Sequence, residues 1–149
     1  MTATLRILRH FAAPPARVYA AWTDPARFAR WIGPVGVPCD VLAMDPTEGG
    51  AYRLMMRPSD GGPIRISGTF TRLDPTDRIE FTWDARWSAS ADDRPPDLSS
   101  SVCIHLRPAG ESTEMQFLLL LPDSRPLPSH QRGWTSTFDK LQTLLETRP

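Results

Sequence analysis

Apolar and polar residues alternate along TLRILRHF, residues 4–11. Leu5, Ile7 and Phe11 stand out among arginines and Leu8 breaks the rhythm, which predicts a strand with slightly irregular alternation. The period then lengthens. In APPARVYAAW, Val18, Ala21 and Trp22 fall at i, i+3 and i+4 behind prolines that a first helical turn tolerates, predicting a short helix over residues 15–22. Asp24 before Pro25 is an N-cap and first-turn signal for a second short helix, with Phe28, Trp31 and Ile32 on one face and Gly33-Pro34 as its stop.

From there the alternation returns. Residues 37–44, 51–57, 64–73, 78–87, 101–107 and 114–121 read as strands. Gly49-Gly50, Asp60-Gly61-Gly62, Asp74-Pro75 and Pro108-Ala109-Gly110 supply short turns, so successive strands are expected to pair as antiparallel hairpins. One connection differs: SASADDRPPDLSSS, residues 88–101, is polar, proline-bearing and longer than a hairpin needs, and reads as a mobile loop. The last segment is helical again. Ser129 is a cap candidate, and Trp134, Phe138, Leu141 and Leu145 recur at i, i+4, i+7 and i+11, with Leu144 widening the stripe. A helix over residues 130–147 is about 27 Å long and spans a sheet. The predicted class is α+β: a curved antiparallel sheet of about seven strands, two short helices after the first strand, and a long C-terminal helix packed across the sheet.

The chain has 149 residues, which fits one domain over 1–149, and is 40% hydrophobic and 23% charged. Its formal net charge of zero offers no global field for nucleic acid or an anionic membrane, and neither is an expected partner. Lys140 is the only lysine and asparagine is absent, so there is no N-glycosylation acceptor. Cys39 and Cys103 match no metal or redox spacing and read as two buried, reduced thiols of a cytoplasmic protein. No targeting segment or membrane span is expected, since the strongly apolar run 117–121 stops at Pro122.

The element order resembles the helix-grip fold of the START-like, or SRPBCC, superfamily. FAAPPARVYAAWTDPARFARWIGP, EGGAYRLMM, GTFTRLDPTDRIEFTW and HQRGWTSTFDKLQTLLE are similar to successive signatures of the family related to the activator of the heat-shock-protein-90 ATPase. Two positions depart from it. Thr71 and Arg72 stand where members often carry an acidic residue, and Leu119 where a histidine is common. The resemblance implies a cavity for an apolar or amphipathic small molecule, and for the eukaryotic co-chaperone a surface that docks on its chaperone. It does not choose among lipid carriers, receptors and polyketide cyclases.

The residues themselves offer little chemistry. His10, His105 and His130 are isolated, with no H-x-H or H-E-x-x-H spacing, so no metal and no cofactor are expected. His130 lies at the mouth end of the last helix, although a structural role is favoured. No G-x-S-x-G, Walker A or G-x-G-x-x-G occurs, and no catalytic residue is assigned. Glu80, Arg53 and Arg65 alternate with apolar neighbours and read as a solvated sheet face. The apolar set Trp31, Tyr52, Leu54, Met56, Ile66, Phe70, Phe81, Trp83, Ile104, Phe117, Trp134 and Phe138 exceeds what a thin helix-on-sheet contact requires, and is the candidate cavity lining. Trp22 is expected in the core and Trp31 at the cavity entrance, where truncation to alanine costs little stability but weakens binding. The expectation is a non-enzymatic binder of a small hydrophobic ligand. A chaperone ATPase-activating role, through docking on a chaperone, and a polyketide cyclase or dehydratase activity are the alternatives; a homodimer is a further expected partnership.

Overall fold

The computed structural model describes residues 2–59, 62–87 and 97–146. Its elements run β1 (Ala3–Phe11), α1 (Pro15–Thr23), α2 (Pro25–Phe28), β2 (Cys39–Met44), β3 (Ala51–Met56), β4 (Ile64–Asp74), β5 (Arg78–Arg86), β6 (Leu98–Ala109), β7 (Ser112–Leu121) and α3 (Leu127–Glu146). The strands form one antiparallel sheet in the order β1-β7-β6-β5-β4-β3-β2, as the α+β pattern predicts. β1 and β2 are thus opposite edges. The chain between them must cross the sheet, and α1 and α2 make that crossing. Register shifts at Val41/Ala43 and Phe70/Arg72 bend β2 and β4 and curve this end of the sheet.

Period-2 alternation decides the faces. Leu5, Tyr52, Leu54, Ile66, Phe70, Phe81, Trp83, Ile104, Phe117 and Leu119 are buried on the concave side. Leu8, which broke the rhythm of β1, is an exposed residue on the convex side, so the alternation is regular after all. Arg53 is exposed, as a solvated face predicts, but Arg65 and Glu80 are half-buried, and Glu80 pairs with Arg78 at 2.6 Å. Asp24 caps α2 by accepting from the Ala26 N–H at 3.0 Å.

Several boundaries differ from the sequence pattern. α2 ends at Phe28, short of the Gly33-Pro34 stop, so Trp31 and Ile32 lie in the turn after it instead of on the helix. β2 starts at Cys39 instead of residue 37, because Pro38 already bonds Arg57 through its carbonyl at the strand's mouth. β6 is longer at both ends: Leu98 pairs with Ala85, and Pro108 and Ala109 pair with Thr113 and Ser112, moving the turn to Gly110-Glu111. Of the loop expected at 88–101, residues 88–96 lie outside the described residues and 98–101 are strand. α3 begins at Leu127 and not at 130. Pro128 sits in its first turn, where a missing N–H is no loss, and Ser129 is inside the helix with its hydroxyl donating to Pro126 O. No helix among the described residues is long and apolar enough to cross a membrane.

Polar ties fix α3 to the rest. Arg9, on the concave side of β1, donates to Asp139 at 3.0 Å and Gln142 at 2.6 Å. Lys140 Nζ donates to Gly33 O at 3.0 Å, and Ser136 Oγ accepts from Val35 N at 2.8 Å, pinning the turn after α2. On the sheet, the Tyr52 hydroxyl donates to Thr82 O across Gly68, where an added Cβ would come within 2.0 Å of that carbonyl oxygen. Only glycine fits there.

Thr76, at the exposed tip of the β4–β5 hairpin, has φ 64, a left-handed conformation that strains a β-branched residue. Thr76→Asn is expected to raise the unfolding free energy by about 1 kcal/mol, read from the urea midpoint at unchanged slope.

Candidate functional site

The concave face is filled at its centre by rings from every layer. Trp22 of α1 meets Trp31 edge-on with centroids 4.7 Å apart, and stacks against Trp134 of α3 at 6.4 Å. Trp134 and Phe138 lie 4.7 and 5.1 Å from Phe117 of β7, and Trp134 lies 4.9 Å from Trp83 of β5. Trp22 Nε1 has no hydrogen-bond partner among the described residues, so its ring is held by packing alone.

Beyond Trp134, toward the start of α3, the packing opens into a cavity of ≈ 240 Å³. The sheet side is Met56 of β3, Ile64 and Ile66 of β4, Trp83 and Ala85 of β5, and Trp87 just past it. The helix side is Ser129, His130, Gly133, Trp134 and Thr137, and the turn after α2 closes the flank with Ile32, Gly33 and Pro34. Gly33 has φ 95, and its backbone turns so tightly over Cys39 that an added Cβ would stand 2.9 Å from the cysteine's own.

Polar groups on this wall are few. Thr137 and Ser129 donate their hydroxyl hydrogens to Gly133 O and Pro126 O. His130 Nδ1 lies 2.9 Å from Pro126 O; a carbonyl only accepts, so Nδ1 carries the hydrogen and Nε2 is left as an acceptor in the neutral ring. His10 and His105 are on other strands, and among the described residues no three His, Cys, Asp or Glu side chains converge as a metal site.

The comparisons with known proteins agree with this fold. The family described as activator of Hsp90 ATPase homolog 1-like protein matches residues 12–146. The chain belongs to that family. A crystal structure of a Chromobacterium violaceum protein is 31% identical to this family member, covers 97% of it and 98% of its own chain, and superposes with a TM-score of 0.84. A family protein from Silicibacter pomeroyi is 28% identical over 96% and 97% of the two chains, with a TM-score of 0.77. A solution structure from Arthrobacter aurescens, 24% identical over 95% and 85%, has a TM-score of 0.83 and shows the same fold. No curated protein matches significantly.

The two departures from the family pattern fall in ordinary structure. Arg72 pairs with Asp74 at 2.7 Å near the β4 bulge, and Leu119 is fully buried between Leu5 and Val102. Of the residues expected to line a cavity, Met56, Ile66, Trp83 and Trp134 come together around the opening. Tyr52, Phe70 and Phe81 instead surround a gap of ≈ 10 Å³ with Trp22 and Phe28, too small for a ligand. Leu54, Ile104, Phe117 and Phe138 are packed core outside both spaces, and so is Trp31.

Trp31 corrects the expectation most directly. It is 0% exposed, its Nε1 donates to Ala21 O at 2.9 Å, and its ring faces Trp22 and Phe28 instead of an entrance. Other lining residues, His130 among them for its place at the mouth end of α3, carried a readable signal. His130 and Thr137 are one turn either side of Trp134 on the same helix face, Gly133 lies one turn from each of them, and Ile64, Ala85 and Trp87 continue the alternation of Ile66 and Trp83.

The two thiols are free and sit on β2 and β6, with three strands between them, about 19 Å at ordinary strand spacing. Burial, with Asp40 adding to it and Lys140 opposing it, pushes the Cys39 thiol up to about 11. Two expectations follow from this site. Trp31→Ala loses about 3–5 kcal/mol of stability in urea unfolding, as a core deletion does. Cys39 alkylates about a hundredfold more slowly at pH 8 than a cysteine at its ordinary value of 9, by mass-resolved labelling. Because its value is raised on folding, the stability this thiol contributes is fully present below pH 9 and is lost as pH rises through about 11.

Proposed function

We propose that the protein encloses one small apolar molecule between the first turns of α3 and the β3–β5 end of the sheet. Gly133 carries this reading. A glycine inside a helix costs about 1 kcal/mol relative to alanine. Nothing in the backbone asks for it: Gly133 is not among the positive-φ glycines, and an added Cβ would meet only Pro34 Cγ, at an ordinary 3.8 Å. What the missing side chain preserves is open volume on the cavity wall.

The wall chemistry supports the same reading. Three tryptophans and Met56 offer a polarizable, adaptable surface, with His130 Nε2 as a single basic acceptor to orient a bound molecule. The cavity falls just below the roughly 300–1,000 Å³ of drug-sized sites. It therefore suits a ring compound or a short chain in preference to a long acyl tail. Among the described lining residues His130 is the one titratable side chain, and no carboxylate orients its ring, which favours binding over acid–base chemistry.

Native mass spectrometry against a panel of small aromatic and short-chain apolar compounds, with tryptophan fluorescence as a second readout, tests this. One-to-one retention with a fluorescence change is expected for the wild type. Gly133→Leu, which restores helix propensity while filling the space, should fold with an equal or higher Tm and bind at least about tenfold more weakly, a difference of 1.4 kcal/mol. A panel with no retained member, or a Gly133→Leu variant that binds like the wild type, overturns the proposal.

A further inference from the structure

A second cleft, of ≈ 770 Å³, lies across the 33–35 turn from the first, between α1, α2 and the C-terminal half of α3. Its size is within the range of small-molecule sites. Three elements bring cations to it: Arg17 from α1, Arg27 and Arg30 from α2 and the turn that follows, and Lys140 from α3. Little answers them. Among the described residues the one carboxylate on the wall, Asp139, is held by Arg9 at 3.0 Å, and Asp24 answers Arg27 at 3.5 Å. Among the described residues the guanidinium groups of Arg17 and Arg30 have no ion pair or hydrogen bond. Lys140 is half-buried and donates to a neutral carbonyl, Gly33 O. In a chain whose 17 basic and 17 acidic residues balance, this is a local excess of positive charge in a concave place. The floor is apolar, with Ala21 and Leu145 buried and Leu144 beside them, and Val35 stands exposed at the rim.

We infer that this cleft binds an amphipathic anion, its carboxylate or phosphate head among Arg17, Arg30 and Lys140 and a short apolar tail along Leu144 and Val35. Guanidinium forks match both heads, and a half-buried ammonium without an anionic partner gains most from one. The concavity and the apolar floor favour a small molecule over an acidic protein segment.

Lys140 is the only lysine, so amine-reactive labelling followed by peptide mass spectrometry reads the cleft at one residue. The probes are decanoate and decyl phosphate below their micellar concentrations, with decanol as the uncharged control. Both anions are expected to protect Lys140 and to show saturable binding by calorimetry that weakens as salt rises, while decanol does neither. The tighter of the two identifies the head. The Arg17→Glu/Arg30→Glu double variant should bind the anions about tenfold or more weakly. Gly133→Leu should leave them unchanged, which separates this site from the apolar cavity whether or not that cavity binds. Equal binding of decanol, an unaffected double variant, or loss of anion binding in Gly133→Leu overturns the inference. So does an acidic peptide that protects Lys140 at lower concentration than either amphiphile.

Discussion

The structure depends on a wedge of aromatic rings between a curved sheet and the two helical passages that must cross it. β1 and β2 are opposite edges, so the chain crosses the concave face once through α1 and α2 and again through α3. Both crossings meet over β5 and β7, where Trp22, Trp31, Trp134 and Phe138 pack on Phe81, Trp83 and Phe117. Each fully buried tryptophan removes about 150–250 Å² from water, an upper bound near 4–6 kcal/mol apiece.

The apolar cavity and the basic cleft lie on the flanks of this wedge. Toward the start of α3 the helix and the β3–β5 strands part around the apolar cavity, and Gly133 adds no side chain to fill the space. Toward its end α3 is drawn onto β1 by Arg9 and onto the Ala12 N–H by Glu146. The 33–35 turn stands between the apolar cavity and the basic cleft, with Gly33 and Pro34 facing one and Val35 the other. Two side chains one turn apart on α3, Ser136 and Lys140, hold that wall in place.

Much of the fold was legible because its signals are local. Period-2 alternation identified each of the seven strands, Asp24-Pro25 marked the start of α2, and the Trp134 to Leu145 stripe located α3. Its boundaries were less so. Ser129 looked like a cap, but a proline pair around Leu127 starts the helix earlier, and the ends of β6 depend on partners in β5 and β7 that no local window contains. The site was legible by half: alternation put Met56, Ile66 and Trp83 on the concave face together with Leu54, Ile104 and Phe117, yet the first three line the opening and the others are sealed beneath packing.

From its residues alone this protein determined its element order, its two sheet faces, and the sets of side chains that must be buried, because each follows from hydrophobic period and turn chemistry within a few positions. Tertiary structure decided how those sets divide between core and cavity. Trp22 and Trp31 carry the same sequence signature, and both end in the wedge. Trp87, exposed at a strand's end, borders the cavity instead. The reason is physical: an apolar side chain gains from leaving water wherever it goes, so its chemistry fixes that it is buried. Only the distance between α3 and the sheet at that point determines whether neighbouring side chains fill the space around it or leave it open.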